Sequence, residues 1–127
     1  HLIFDGTLEK FPHLKILASH GGGYLPSYAG RIDHAWGARP DCKGNNLKYP
    51  PSYYLKKMHF DTIVFTYEQL KYLVDVFGSD KIIMGTDYPY DMAEDDPVGH
   101  VLGTPGLNTN DIKKITGINA AKLLGIN

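Results

Sequence analysis

The apolar and polar positions of this chain follow two different spacings. Short apolar runs predict three strands, at residues 14–19, 58–64 and 82–85. Apolar positions three or four residues apart predict the main helices, at 25–38, 67–77 and 111–124. Thr66 is the predicted N-cap of the second of these helices, and Gly78 is its predicted end. Because strands alternate with helices, the pattern predicts an α/β fold with a parallel sheet.

The segments between these elements are rich in proline, glycine and asparagine, which predicts loops. The longest predicted loops are 39–51 and 91–106, and the second contains a predicted helical turn near 98–102. Another helical turn is predicted at 52–57, and residues 1–12 have the pattern of a helix that closes at Phe11-Pro12. The sequence does not begin with Met, so we expect the chain to be part of a longer polypeptide.

Composition narrows the class of protein. With 127 residues the chain is one domain or part of one, and an apolar fraction of 43% is ordinary for a globular core. A net charge of −1 gives no indication of nucleic acid or a membrane surface as a partner. No apolar run approaches the ~20 residues that cross a bilayer. The single cysteine, Cys42, excludes an internal disulfide and favours a reducing, cytoplasmic location.

Two of the predicted strands end in groups that can do chemistry. The first ends at His20, which three glycines follow, and the third is followed by Asp87 and a Pro turn. Active sites of α/β folds lie at the C-terminal ends of the strands, so we expect these two side chains to share a site. His20 is a candidate general acid or base, and Asp87 is a candidate metal ligand. The alternatives are a hydrogen-bonded turn histidine and a carboxylate that caps a turn.

Two arginines are candidates for binding a substrate. Arg31 lies in the first long helix, and Arg39 follows that helix directly. A guanidinium group binds a carboxylate bidentately, so either arginine could hold a small-molecule carboxylic acid. The more common case, a solvated surface arginine, stays open for both.

Other polar groups favour a structural interpretation. His59 and Asp61 lie in the second predicted strand, with their side chains on the same face. A satisfied polar pair near a strand end explains them at least as well as catalysis does. His13 and His100 fall in predicted loops, and we interpret both as surface residues.

Several motifs, taken in their order along the chain, carry a resemblance to a known family. They are the run Phe11 to Pro26 with its Ser-His-Gly-Gly-Gly, Gly30-Arg-Ile-Asp-His34, Arg39-Pro-Asp41, Phe60-Asp-Thr62 and Gly85-Thr-Asp-Tyr-Pro89. Together with the final Asn-Ala-Ala-Lys-Leu-Leu-Gly helix, they resemble the C-terminal half of amidohydrolase-superfamily decarboxylases. Within this group, they are similar to aminocarboxymuconate-semialdehyde decarboxylase and the resorcylate decarboxylases. The resemblance covers nearly the whole chain.

This resemblance implies a fold and a reaction. The fold would be the C-terminal part of a metal-dependent TIM (β/α)₈ barrel, with about three βα units here and the N-terminal half absent. The reaction would be the non-oxidative decarboxylation of an unsaturated or aromatic carboxylic acid. The implied cofactor is a divalent metal, with zinc in first place and manganese as the alternative. The implied assembly is a homodimer.

The resemblance also implies roles for individual residues. Asp87 resembles the metal-binding Asp after the last strand, and His20 the histidine that polarises or deprotonates a water on the metal. Arg31 and Arg39 resemble arginines that reach across a dimer interface to the neighbour's substrate carboxylate. The family's other ligands, a His-x-His pair and a further His, are matched by none of the six histidines.

We therefore expect this chain alone not to hold the metal tightly. Two alternatives stay open for its function. One is a hydrolase or hydratase of the same superfamily, and the other is a catalytically inactive fragment.

Overall fold

The computed structural model describes residues 1–44 and 47–126. They form two compact units. The first unit comprises residues 1–16 and 24–58, and the second comprises the remaining residues. None of the helices in the described part of the chain is long and apolar enough to cross a membrane.

The first unit is helical. Its helices are α1 Thr7–Lys10, α2 Leu25–Ala38 and α3 Pro51–Leu55, and a 3₁₀ turn lies at Pro40–Cys42. Helix α2 has the predicted bounds, whereas α1 covers only four residues of the pattern predicted over 1–12. Helix α3 packs on α2, where the Asp33 carboxylate accepts a hydrogen bond of 2.9 Å from the Ser52 N–H. The predicted loop 39–51 includes residues 45 and 46, which lie outside the described residues.

A buried tyrosine anchors the core of the first unit. Tyr54 is fully buried, and its hydroxyl donates a hydrogen bond of 2.6 Å to Glu9, while Lys48 Nζ lies 3.1 Å from the other Glu9 oxygen. The hydrogen bond from Tyr54, followed by the contact with Lys48, lowers the pKa of Glu9. Burial, followed by the hydrogen bond to Glu9, raises the pKa of Tyr54. The pair therefore favours a charged Glu9 and a neutral Tyr54 in the folded state.

The sheet belongs to the second unit. Its strands are β1 Leu17–Ala18, β2 His59–Asp61 and β3 Ile82–Ile83. They run parallel in the order β1-β2-β3, with Ala18 opposite Phe60 and Phe60 opposite Ile82. The prediction of an α/β fold with a parallel sheet is confirmed. Each strand is shorter than predicted: β1 lacks the predicted residues 14–16 and 19, β2 lacks 58 and 62–64, and β3 lacks 84 and 85.

Helices follow β2 and β3 in the second unit. They are α4 Tyr67–Phe77, α5 Pro97–Gly103, α6 Thr109–Lys113, a π-helical turn Lys114–Ile118 and α7 Asn119–Leu124. Thr66 caps α4 as predicted, since its hydroxyl accepts a hydrogen bond of 3.3 Å from the Gln69 N–H. Helix α5 is longer than the predicted turn because Asp96 caps it and Pro97 occupies its first position. The last predicted helix is divided by the π-helical turn.

The core of the second unit lies between the sheet and these helices. Its fully buried apolar side chains are Phe60, Leu70, Ile82, Val101 and Ile115. Asn119 is 3% exposed, and its side-chain N–H groups donate hydrogen bonds of 2.7 Å to the carbonyls of Ser79 and Ile82. This asparagine attaches α7 to the start of β3, so the last helix fixes the strand that precedes Asp87.

Candidate functional site

The two strand-end candidates lie side by side in the second unit. His20 Nε2 is 3.5 Å from Asp87 Oδ1. The imidazole side chain is 61% exposed and the carboxylate 23% exposed, so both reach solvent. Strands β1 and β3 lead into these residues, and both flank β2. Because the three strands run parallel, the two side chains lie at the same end of the sheet, where the strands finish.

The backbone is unusual at both residues. His20 has a φ of 55° and Asp87 a φ of 62°, which places two non-glycine residues in the left-handed region. This conformation is costly for residues with a Cβ, and such residues occur most often at functional sites. The surrounding hydrogen bonds must therefore hold both loops in place.

A third residue, Asp61, supplies some of those hydrogen bonds. Its Oδ2 accepts a bond of 2.9 Å from the His20 N–H, and its Oδ1 accepts bonds of 2.8 Å from Gly21 and 3.1 Å from Ile63. Asp61 is only 5% exposed. These bonds satisfy the buried carboxylate. The sequence predicted a satisfied pair of His59 and Asp61, and it did not reveal that the backbone of His20 is a partner of Asp61. The available signal was an acidic residue in a predicted strand of the sheet.

The candidate arginines lie in the first unit, and both are exposed. Arg39 donates two hydrogen bonds to Asp41, from Nε at 3.1 Å and from Nη2 at 2.7 Å. These bonds are the main cause that lowers the pKa of Asp41 and raises the pKa of Arg39. Arg31 has no hydrogen bond or ion pair with any residue that the structure describes. Arg39 would thus have to exchange Asp41 for a substrate carboxylate, whereas Arg31 is available to bind one.

His13 is exposed, as predicted, but the prediction that His100 is a surface residue is wrong. His100 is 7% exposed within α5, with Nδ1 3.2 Å from Glu94 Oε2 and Nε2 3.3 Å from the Thr66 carbonyl oxygen. It lines a depression of about 500 Å³ together with Phe65, Tyr67, Glu94 and Asp96, among others. The Asp-Pro pair at the start of α5 was the signal for a helix that carries this histidine inward.

The donor set for a metal ion is only partly present. Within residues 1–44 and 47–126, no group of three or more His, Cys, Asp or Glu side chains is placed so that it could hold a metal ion. Apart from the 3.5 Å contact of its Oδ1 with His20 Nε2, the Asp87 carboxylate accepts no hydrogen bond from a described residue, so its Oδ2 is available to a hard cation. The described residues thus fit one oxygen ligand of a metal centre and do not fit a complete one.

A histidine and a carboxylate at the C-terminal edge of a parallel sheet are typical of the active site of an α/β enzyme. Comparison with known proteins specifies the family. The chain belongs to the amidohydrolase family, whose family model matches residues 1–126. The predicted resemblance is thereby confirmed.

Named relatives of this chain are decarboxylases. The chain is 36% identical over 126 residues to 2-amino-3-carboxymuconate-6-semialdehyde decarboxylase from Dictyostelium discoideum. The aligned region covers 99% of this chain and 33% of the relative. The crystal structure of 5-carboxyvanillate decarboxylase from Sphingomonas paucimobilis superposes with a TM-score of 0.88 at 28% identity, over 99% of this chain and 38% of that one. A dihydroxybenzoic acid decarboxylase from a Polaromonas species, solved with bound manganese and the inhibitor 2-nitroresorcinol, has a TM-score of 0.83 at 29% identity. That match covers 98% of this chain and 37% of the enzyme.

The chain therefore spans about a third of the length of the curated relatives it matches, with values of 33% and 31% for two of them.

Proposed function

We propose that this chain is the C-terminal part of a metal-dependent, non-oxidative decarboxylase that acts on an unsaturated or aromatic carboxylic acid. The observation that carries the proposal is the 3.5 Å approach of His20 Nε2 to Asp87 Oδ1 at the end of the parallel sheet. The names of the relatives support the reaction class, since they are decarboxylases of carboxymuconate, resorcylate and carboxyvanillate substrates.

The proposed fold of the whole enzyme is a TIM (β/α)₈ barrel, of which this chain supplies about three βα units as a partial domain. Such barrels require about 200 residues or more, so the other units would come from polypeptide beyond these 127 residues. The short parallel sheet supports this assignment, as does the match to about 38% of a larger decarboxylase structure.

In the proposed reaction, the bond between the carboxylate group and the substrate carbon that bears it breaks, and carbon dioxide leaves. The electron pair of that bond stays on the carbon, which takes up a proton in place of the carboxylate, so no oxidant or reductant is consumed. His20 is the proposed carrier of this proton, because an imidazole transfers protons near neutral pH and this one is open to solvent. Its neighbour Asp87 would orient the ring through the Nε2 contact.

Asp87 is also the proposed ligand of a divalent metal, together with ligands from outside this chain. When bound, such a metal would supply positive charge that polarises the substrate. Manganese is favoured by the solved relatives, three structures of which contain it, and zinc is the alternative. Elemental analysis of the purified enzyme decides between the two metals.

Arg31 and Arg39 are the proposed groups that grip a substrate carboxylate, in a homodimer where each subunit presents them to its neighbour. The guanidinium of Arg31, which has no partner within the described residues, supports this role more directly than that of Arg39, which already holds Asp41. The free, partly buried thiol of Cys42 agrees with the proposed cytoplasmic location.

The variant His20→Ala, made in the longer polypeptide that contains this chain, tests the proposal. We expect turnover to fall by about 10²-fold or more, because the proton carrier is lost while the carboxylate ligand remains. The metal content should stay unchanged. His13→Ala is the matched control, because this exposed histidine lies in the first unit and should not affect turnover.

The assay measures carbon dioxide released from dienoic and aromatic acids such as a dihydroxybenzoate, together with the metal content of each variant. Unchanged turnover in His20→Ala would end the assignment of His20. A wild-type product that gains water instead of losing carbon dioxide would show a hydrolase or hydratase. No reaction with metal-loaded wild-type protein would favour the inactive-fragment alternative.

A further inference from the structure

Asp61 and Thr62 lie between the two loops of the candidate site. They are the last residue of β2 and the residue after it, and they are 5% and 1% exposed. Strand β2 is the central strand of the sheet, so one of its sides faces the loop with His20 and the other faces the loop with Asp87.

On the first side, the Asp61 carboxylate holds the His20 loop. It accepts hydrogen bonds of 2.9 Å from the His20 N–H and 2.8 Å from the Gly21 N–H, two successive residues with φ of 55° and 57°. Three backbone donors, including Ile63, satisfy a carboxylate that would otherwise be costly to bury. Charge-assisted bonds of this kind are stronger than neutral ones, so they can hold His20 in a conformation that it would not adopt alone.

On the second side, Thr62 holds the Asp87 loop. The Thr62 hydroxyl accepts a hydrogen bond of 3.2 Å from the Gly85 N–H, two residues before Asp87. Gly85 packs closely on this segment, since a Cβ at Gly85 would lie 3.3 Å from the Asp61 Cβ and 3.1 Å from Ile63 Cδ1. The end of β2 is therefore in direct contact with both loops.

We propose that Asp61 and Thr62 are positioning residues that set the separation of His20 and Asp87, Asp61 through the histidine loop and Thr62 through the aspartate loop. Neither side chain needs to touch the substrate for this role. The catalytic consequence rests on the proposed function, whereas the structural consequence does not. A misplacement of about 1 Å at a reacting group can lower turnover by about 10²-fold, so a lost loop contact should be measurable.

The variant Asp61→Asn tests the histidine side. An amide has one acceptor oxygen, which can keep the bonds from Gly21 and Ile63, and its NH₂ group then faces the His20 N–H, which loses its acceptor. We expect hydrogen exchange of the His20 amide to become about tenfold faster or more. In the longer polypeptide, kcat should fall by about tenfold to a hundredfold while KM and metal content stay the same.

The variant Thr62→Val tests the aspartate side, and it also decides the proposal if Asp61→Asn does not fold. It keeps the side-chain shape and removes the acceptor of the Gly85 N–H. Exchange at Gly85 should become faster while exchange at His20 stays unchanged, and kcat should again fall.

Asp111→Asn is the matched control. It also removes a carboxylate that accepts hydrogen bonds from a backbone N–H and a side-chain hydroxyl, but this carboxylate lies in α6. It should leave both exchange rates and kcat unchanged.

Two sets of results separate this inference from the proposed function. If the wild-type longer polypeptide releases no carbon dioxide, the proposed function fails, and the site-specific exchange rates alone decide whether Asp61 and Thr62 hold the loops. If the wild type is active and both variants retain kcat and normal exchange, the positioning roles are overturned. A fall in kcat that Asp111→Asn reproduces would show a general loss of stability and would likewise overturn them.

Discussion

At the scale of single residues, Gly21 is a position where no other amino acid fits. It follows His20 with a φ of 57°, and a Cβ at this position would lie 2.5 Å from Val64 Cγ1 and 3.0 Å from Leu73 Cδ1. Only glycine fits both the left-handed backbone and the close approach of two side chains. Gly21 thus lets the histidine loop lie directly on the segment after β2 and on α4.

We predict that Gly21→Ala destabilises the protein by about 2–4 kcal/mol, through the left-handed backbone and the overpacking against Val64. Denaturant unfolding measures the change. The matched control is Gly117→Ala, in the same unit, where a Cβ would meet nothing within 4 Å and φ is not positive. That substitution should leave the free energy of unfolding unchanged or raise it. Equal effects of the two substitutions would contradict this account of Gly21.

The sequence pointed to His20 and Asp87 because strand ends, glycines and a carboxylate before a Pro turn are local features. It left the part played by Asp61 undetermined, because two of its partners lie 40 and 41 residues away in the chain. Burial of His100 was missed for a related reason. A helix start at Asp96-Pro97 is visible in the sequence, but the bonds from His100 to Glu94 and Thr66 depend on how α5 packs.

At the scale of elements, a hydrogen bond connects α6 to the turn before β3. Asp111 Oδ1 accepts a bond of 2.6 Å from the Ser79 hydroxyl, and its Oδ2 accepts one of 3.2 Å from the Asn108 N–H in a capping box. The bond from Ser79 is the largest cause that lowers the pKa of Asp111. The charged carboxylate is therefore favoured in the folded state.

This lowered pKa predicts a pH dependence of stability. The contribution of Asp111 should be fully present above its unfolded pKa of about 3.9 and should be lost as the pH falls through the lower folded value. The difference in free energy of unfolding between wild type and Asp111→Asn should accordingly shrink below about pH 4. In Ser79→Ala, the stability lost on acidification should be smaller, because without the bond from Ser79 the folded pKa of Asp111 lies closer to its unfolded value. A difference that stays constant from neutral to strongly acidic pH would contradict the prediction.

The elements differed in how far the sequence predicted them. Helices α2 and α4 have the predicted bounds, because apolar spacing, the Thr66 cap and Gly78 are all encoded locally. The π-helical turn Lys114–Ile118 left no such signal in the pattern of apolar positions. The short strands depend on pairing across the sheet, which sequence periodicity does not measure.

At the scale of the whole molecule, the sheet leaves pairing positions open. Within the described residues β1 and β3 each pair only with β2, and Leu17 at the β1 edge is 43% exposed. Unpaired edges with exposed apolar side chains invite association with other chains. In the proposed barrel both edges are paired with strands from the rest of the polypeptide, so the 127 residues and the longer protein should behave differently.

We predict that the isolated chain self-associates and that Leu17→Lys reduces this association, because a charge on an edge strand opposes pairing. In the longer polypeptide the same change should be destabilising, since the edge is then covered. Leu102→Lys is the control, because this side chain is 59% exposed but lies on α5 and not at the sheet edge. Sedimentation of the isolated chain and denaturant unfolding of the longer polypeptide measure the two effects. A stable monomer of 14.1 kDa that unfolds cooperatively would contradict the partial-barrel proposal, because such a species needs no further strands.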